Sequence, residues 1–396
     1  MSINWIEKEK KYYMFTVRRQ PIVIDKAAGV HVWDVEGKEY LDFTAGWAVT
    51  NLGHCHPTVT NMIKKQSETL LQTSNQFYTK PQLLLAEILV EQSCLDKVFF
   101  CNSGAEAVEG ACKLAKKYGK TEKNGAFEII TALNSFHGRT QATLAATGQP
   151  KYQETFKPLL PGFTHVPYND FEAIKTATNK NTVAVMLEPI QGEGGVNIPD
   201  IDYLSRVKEW CVKHDLLFIL DEVQTGLGRI GTLFGYQYFN VEPDVITLGK
   251  ALGNGVPIGA FLSKDRVMKL EPGDHGSTFG GNALATAAAF ASTEYIVKHN
   301  IANHAKDIGN KLQLTLQKEI GDLNIVKEIR GVGLLLAIEF TDDISANLVK
   351  ELNANGLLTN PVKPNAIRLM PPLIINEEDI NKAVKIIKET LLQEKY

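Results

Sequence analysis

The chain has few cysteines, no long apolar run and almost no net charge. Its five cysteines, Cys55, Cys94, Cys101, Cys112 and Cys211, are odd in number and lack metal-ligand spacing. A reducing compartment suits them better than a disulfide framework or a metal site. No apolar run approaches the roughly 20 residues of a membrane-spanning helix. The opening stretch MSINWIEKEKKYYMF is charged and lacks the apolar core of a secretory signal. A formal net charge of -3 gives no electrostatic reason to expect nucleic acid or an anionic membrane as partner. There is no internal repeat and no low-complexity linker. What remains is a cytoplasmic globular protein, with 44% hydrophobic and 22% charged residues. At 396 residues it is too long for one ordinary core, so two domains are expected.

What is present is an alternation. Apolar runs at Val98–Cys101, Phe127–Thr131, Val183–Leu187, Leu216–Leu220, Val245–Thr247 and Gly259–Leu262 predict strands, with helical spacing between them. That pattern predicts an α/β fold with a mostly parallel sheet covered on both faces. Ahead of it, residues 1–20 read as a helical arm. Short strands follow at Pro21–Asp25, His31–Asp34 and Tyr40–Phe43, then a glycine-bearing loop from Gly46 to Pro57. Helices are expected over 58–72 and Leu83–Gln92. Behind the alternation come an Ala-rich helix from Ala283 to about Lys298, a helix over 303–320 and strand-like residues over 325–340. A helix at Ala346–Asn353, a strand at Ile367–Met370 and a closing helix over 377–394 complete the chain. The expected division is a large domain over 46–298 and a small α+β domain from 299–396 joined by residues 1–45.

Two of these strands end on ionisable residues. Leu216–Leu220 runs into Asp221 and Glu222, and the run from Val245 ends in Gly249 and Lys250. Ligands of open α/β sheets bind outside that carboxyl edge. A carboxylate closing an apolar run is costly unless paired, so Asp221 implies either a functional partner or a structural ion pair. Lys250 is either solvated or a nucleophile of depressed pKa. An acid for a pyridinium nitrogen and an amine for a Schiff base are what pyridoxal phosphate takes from a protein.

Other stretches carry chemistry of the same kind. In FFCNSGAEA a strand, a small-residue turn and a helix follow one another. The backbone at Ser103, Gly104 and Ala105 suits an anion at a helix amino end. Ser103 with Glu106 also reads as a plain capping box, and no Gly-Lys-Ser/Thr follows to make a P-loop. In NSFHGRT, Phe136 suits stacking on a flat ring and Arg139 a carboxylate, though a core aromatic and a surface arginine look the same. LEPIQGEGG puts Glu188 after a strand and Glu193 in a glycine loop. HGSTFGGN offers Ser277 and Thr278 as hydroxyl donors before the Ala-rich helix.

Taken together, LDFTAGWAVTNLGHCHP, FFCNSGAEA, SFHGRT, EPIQGEGG, ILDEVQTGLGR, DVITLGKALGNGVPIGA and HGSTFGGN resemble the class III (subgroup II) pyridoxal-phosphate aminotransferases over nearly the whole chain. The resemblance implies the fold-type I architecture with a seven-stranded sheet, pyridoxal 5'-phosphate as cofactor, and a homodimer with a shared active site. It implies a small-molecule amino donor and 2-oxoglutarate as partners, in a two-stage transamination. Lys250 matches the lysine that binds the cofactor covalently and Asp221 the acid on the ring nitrogen. Gln224 matches the residue near the phenolic oxygen, and Val223 and Phe136 match the residues packing on the ring. Ser103, Gly104 and Ala105 match the phosphate loop, and Thr278 a phosphate ligand given to the neighbouring subunit. For substrate, Arg139 and Ser277 match contacts to the donor. Arg368 matches the arginine for the α-carboxylate of 2-oxoglutarate, and Glu193 the glutamate that masks it. Within the family, ornithine-specific members carry a tyrosine before Gly-His-Cys-His-Pro that helps hold a free α-amine. Here Trp47 stands in its place, which favours a donor whose α-amine is acylated. The alternatives are other ω-aminotransferases of the class, for succinylornithine, succinyldiaminopimelate, ornithine or 4-aminobutyrate, and then a glutamate-1-semialdehyde-type mutase, against which the Glu193–Arg368 pair argues.

Overall fold

The computed structural model describes residues 4–393. Three short strands come first, β1 (Ile24–Ala28), β2 (His31–Asp34) and β3 (Glu39–Asp42), paired antiparallel in sequence order. The helix before them covers only Trp5–Tyr12 of the arm expected over residues 1–20, whose residues 1–3 lie outside the described residues. Its closing residue Tyr13 is extended, and no residue of the helix is buried. An isolated helix of this length has little to sustain it without tertiary packing.

The centre is a seven-stranded sheet made of β4 (Lys97–Cys101), β5 (Glu128–Ala132), β6 (Phe163–Val166), β7 (Thr182–Leu187), β8 (Leu217–Asp221), β9 (Val245–Leu248) and β10 (Gly259–Ser263). Their order is β4-β10-β9-β8-β7-β5-β6. β10 runs antiparallel to both β4 and β9, and every other pair is parallel. β7, β8 and β9 are buried at every position. That is why they read as unbroken apolar runs: helices cover both faces of such a sheet. β6 did not show in the apolar pattern. It is an edge strand, and Thr164 and His165 interrupt its hydrophobic residues.

The carboxyl-terminal part forms a second small sheet. β11 (Val326–Val332) and β12 (Leu335–Phe340) make the hairpin within 325–340, and β15 (Ala366–Leu369) lies beside β12 with β14 (Asn360–Lys363) outside it. The two-residue β13 (Leu357–Leu358) leaves this sheet and pairs parallel with β3, so both chain ends share one sheet. The closing helix is Glu377–Leu391, set by a capping box at Asn376 and Asp379. Among the described residues no helix is long and apolar enough to cross a membrane.

The loop after β3 departs from a plain glycine loop. Ala45, Gly46, Trp47 and Ala48 have φ of 45, 61, 65 and 59°, a left-handed turn of four residues. Each non-glycine residue there costs roughly 1–2 kcal/mol, so the surroundings must hold it. Asp42 Oδ1 accepts from Thr44 N–H (2.8 Å), Thr44 Oγ1 (2.7 Å) and Ala45 N–H (3.1 Å). Its other oxygen meets His54 Nε2 at 2.8 Å. Asn254 closes the loop from below, accepting from Leu52 N–H and donating to the Gly53 carbonyl.

Candidate active site

One cavity of about 270 Å³ opens at the carboxyl edge of the large sheet, over β8 and β9. Asp221, the last residue of β8, is buried in its wall. Its carboxylate is satisfied on both oxygens. Oδ1 accepts from Thr247 Oγ1 (2.9 Å) and Val223 N–H (3.1 Å), and Oδ2 accepts from His137 Nδ1 (2.7 Å). Burial pushes the His137 imidazole towards neutrality, and the hydrogen bond and charge of Asp221 more than reverse this, so its pKa is raised. An anion of this kind, backed by an imidazole, suits a protonated ring nitrogen.

Lys250 follows β9 in a left-handed conformation, φ 42°. Its amine lines the cavity, and no hydrogen bond holds it among the described residues. Burial lowers its pKa, against the charges of Glu193 and Asp221. A half-buried amine that loses its proton readily is a nucleophile in waiting.

Ser103 caps the helix Gly104–Glu122, accepting from Glu106 N–H at 3.2 Å. Gly104 and Ala105 are the first residues of that helix, and they line the cavity. A helix start has no carbonyl one turn earlier to take these N–H groups, which makes it an anion seat. A Cβ on Gly104 would come within 2.7 Å of Val223 Cγ1, so only glycine leaves this backbone in place. Phe136 and Val223 both border the cavity. An anion seat, a buried carboxylate, a nucleophilic amine and two apolar side chains around one space fit pyridoxal phosphate.

Arg368 sits on β15 and is fully buried. Nη1 donates to Glu193 Oε1 (2.7 Å) and to Gln224 Oε1 (3.0 Å), while Nε and Nη2 have no partner. Gln224 Nε2 in turn donates to Glu193 at 3.2 Å. Burial would raise the Glu193 pKa, but Arg368 holds it low, so the glutamate is a charged cover on the guanidinium. Gln224 thus spends its amide on this pair. Arg139 is exposed at the cavity edge, its guanidinium 4.0 Å from the Tyr152 ring centroid and 5.4 Å from that of Phe136.

Nine of the expected side chains border this one space: Gly104, Ala105, Phe136, Arg139, Glu193, Asp221, Val223, Gln224 and Lys250. Arg368 reaches it through Glu193. Ser277 and Thr278 do not border it. They lie on a surface turn where Ser277 Oγ bonds Asn102 Nδ2 and the Gly280 N–H, and Thr278 is exposed. Five residues of the wall carried no expected role, His137, Gly138, Glu188, Ile190 and Thr225, and two of these are ionisable, His137 and Glu188. Glu188 Oε2 accepts from Phe136 N–H (3.0 Å) and Oε1 from Gly192 N–H (3.4 Å), and burial pushes its pKa up to about 7. A histidine between two motif residues and a glutamate closing the run Val183–Leu187 were the available signals.

Residues 12–391 match the family described as aminotransferase class-III. The chain is 48% identical over 392 residues to an acetylornithine aminotransferase of Methanocaldococcus jannaschii, covering 98% of each chain. Among solved structures, the ornithine aminotransferase of Toxoplasma gondii, reported with partial occupancy of PLP at its active site, is similar with a TM-score of 0.94. The identity is 36%, over 98% of this chain and 94% of that one. An acetylornithine aminotransferase from Elizabethkingia anophelis is similar with a TM-score of 0.88 and 38% identity, covering 98% of each chain.

Proposed function

The chain belongs to the class III aminotransferases, transaminases that depend on pyridoxal 5'-phosphate, and from that premise we propose that it moves the δ-amino group of N-acetylornithine to 2-oxoglutarate. The products are N-acetylglutamate 5-semialdehyde and glutamate, a step of arginine biosynthesis. One observation carries this reading: a fully buried Arg368, half covered by Glu193, stands beside the cavity that holds Lys250 and Asp221. An enzyme that admits two different substrates in turn needs such a masked cation. With Glu193 in place the site is neutral there and receives the donor. With Glu193 displaced, Arg368 offers its donors to the α-carboxylate of 2-oxoglutarate.

When bound, pyridoxal phosphate supplies a carbonyl that condenses with amines and a ring that accepts the electron pair left at the adjacent carbon. The chain's own residues do the rest. Lys250 Nζ would hold the cofactor, and its free amine would take the proton from the donor's δ-carbon. Asp221 keeps a negative charge fixed for the ring nitrogen, with Thr247 and His137 keeping it in place. Ser103, Gly104 and Ala105 receive the phosphate, and Phe136 and Val223 pack the ring. Arg139 grips the donor's α-carboxylate. Ser277 and Thr278 serve the site of a second copy in a homodimer. The exposure of Thr278, with Ser277 half-buried beside it outside this cavity, supports that role, as does the apolar surface around them at Leu71, Phe77 and Phe279.

The acyl group rests on Trp47, which is 51% exposed on the left-handed turn and offers no phenol to a free α-amine. Free ornithine is the second reading, favoured by the likeness to the Toxoplasma gondii enzyme. Steady-state rates with acetylornithine, succinylornithine, ornithine and 4-aminobutyrate, each with 2-oxoglutarate, decide between them. Acetylornithine is expected to have the highest kcat/KM. A higher value for ornithine would overturn the assignment, and turnover without any 2-oxo acid would point to a mutase.

A further inference from the structure

Arg229 closes the loop that starts at Asp221, and it has no part in the chemistry above. Its guanidinium is 0% exposed, yet among the described residues no carboxylate pairs with it. Nη1 donates to the carbonyls of Leu334 (2.9 Å) and Pro371 (2.6 Å), and Nη2 donates to Asn51 Oδ1 (2.6 Å). The backbone repeats these ties. Leu334 N–H donates to the Arg229 carbonyl at 3.0 Å, Asn51 Nδ2 to the Leu227 carbonyl at 2.9 Å, and Leu373 N–H to the Asn51 carbonyl at 2.7 Å. Burial and the like charge of Arg368 bring Arg229 down to about 9, still protonated at neutral pH.

A buried cation with only neutral acceptors is costly, and an apolar side chain of similar volume would avoid that cost. What only arginine supplies is a rigid planar fork whose donors point in fixed directions. The three acceptors sit on three separate segments. Asn51 is on the loop that carries Trp47, Leu334 is at the turn between β11 and β12, and Pro371 follows β15 three residues after Arg368. Arg229 itself lies on the same loop as Gln224, which holds Arg368 from the other side. The segment bearing the masked cation is therefore fixed at one end by Gln224 and at the other by Arg229.

We propose that Arg229 is a positioning residue that sets where Arg368 stands against the cavity, so that Glu193 and a substrate carboxylate compete for it. This rests on the reading of Arg368 as the 2-oxoglutarate site. Arg229→Lys keeps the charge but has no fork to join the three acceptors. Asn51→Ala removes one acceptor and leaves Arg229 intact. Both are measured as holoenzymes, by calorimetric binding of glutarate, a dicarboxylate that cannot react, and by the two half-reactions followed separately. Arg229→Lys is expected to weaken glutarate binding and raise the KM for 2-oxoglutarate about tenfold, with the donor half-reaction within about twofold of wild type. Asn51→Ala is expected to act in the same direction by about threefold, and it decides the matter if the lysine variant does not fold. Glutarate affinity unchanged, or both half-reactions falling in proportion, would overturn the assignment. Wild-type enzyme that neither binds glutarate nor turns over with 2-oxoglutarate would overturn the reading of Arg368, and this assignment with it.

Discussion

Lys250 shows how much one side chain depends on what surrounds it. Burial lowers its pKa from the usual 10.5 while Glu193 and Asp221 pull it back up, and the balance is downward. Only the neutral amine attacks a carbonyl. Uptake of pyridoxal phosphate by the apoprotein is therefore expected to speed up as pH rises through a midpoint below 10.5 and then level off, read as recovery of visible absorbance. A midpoint at or above 10.5 would refute the role of burial. Lys250→Ala should never develop the shifted absorbance band of a covalently held cofactor at any pH and should lose roughly a thousandfold in rate, within the range for a lost proton-transfer group. Lys250 and Asp221 were legible in the sequence because each ends an apolar run, where a charge needs a reason. His137 and Glu188 were not. Their part follows from Asp221 and from the N–H groups of Phe136 and Gly192, which lie far along the chain and meet them only in the fold.

Among the elements, the helix Gly104–Glu122 is the proposed phosphate seat, a role that its start would fill with bare backbone. Gly104→Ala puts a Cβ 2.7 Å from Val223 Cγ1 and 2.9 Å from Val223 Cγ2, so either the valine proposed to pack the ring or the helix start must shift. Overpacking of that kind costs about 1–3 kcal/mol. Spectral titration with pyridoxal phosphate should show an affinity roughly tenfold or more weaker, and unchanged affinity would mean that the helix start is not the phosphate seat. Elements like β7 and β8 were legible as unbroken apolar runs, and the helix Ala283–Lys298 has the expected start and close to the expected end. β6 and the amino-terminal arm were not. The first is a half-buried edge with too few apolar positions, and the second has charged helical spacing but no surface to pack on.

At the scale of the whole molecule, the site as drawn from one copy lacks the hydroxyls of the turn at Ser277 and Thr278. The proposed dimer makes a simple complementation test. A chain with Lys250→Ala and a chain with Thr278→Ala, each impaired alone, form one intact site when they pair, since the first donates Thr278 to the Lys250 of the second. Random reassociation at equal amounts should restore about a quarter of the wild-type rate, as half of all dimers are mixed and each has one good site. Activity no greater than the sum of the separate variants would count against the shared site.

The joining of both chain ends in one sheet has a consequence for how the protein is made. β3 has no parallel neighbour until β13 exists, and Lys38 Nζ donates to the carbonyl of Ala354, 316 positions later. At synthesis rates of roughly 5–20 residues per second, that is roughly 15–60 s during which the edge of β3 is open on the ribosome. Two acceptors that hold Arg229 also emerge late, Leu334 near the end of that interval and Pro371 just after it. Any factor that shields nascent chains has its work here between the exit of the first sheet and the arrival of the last helix.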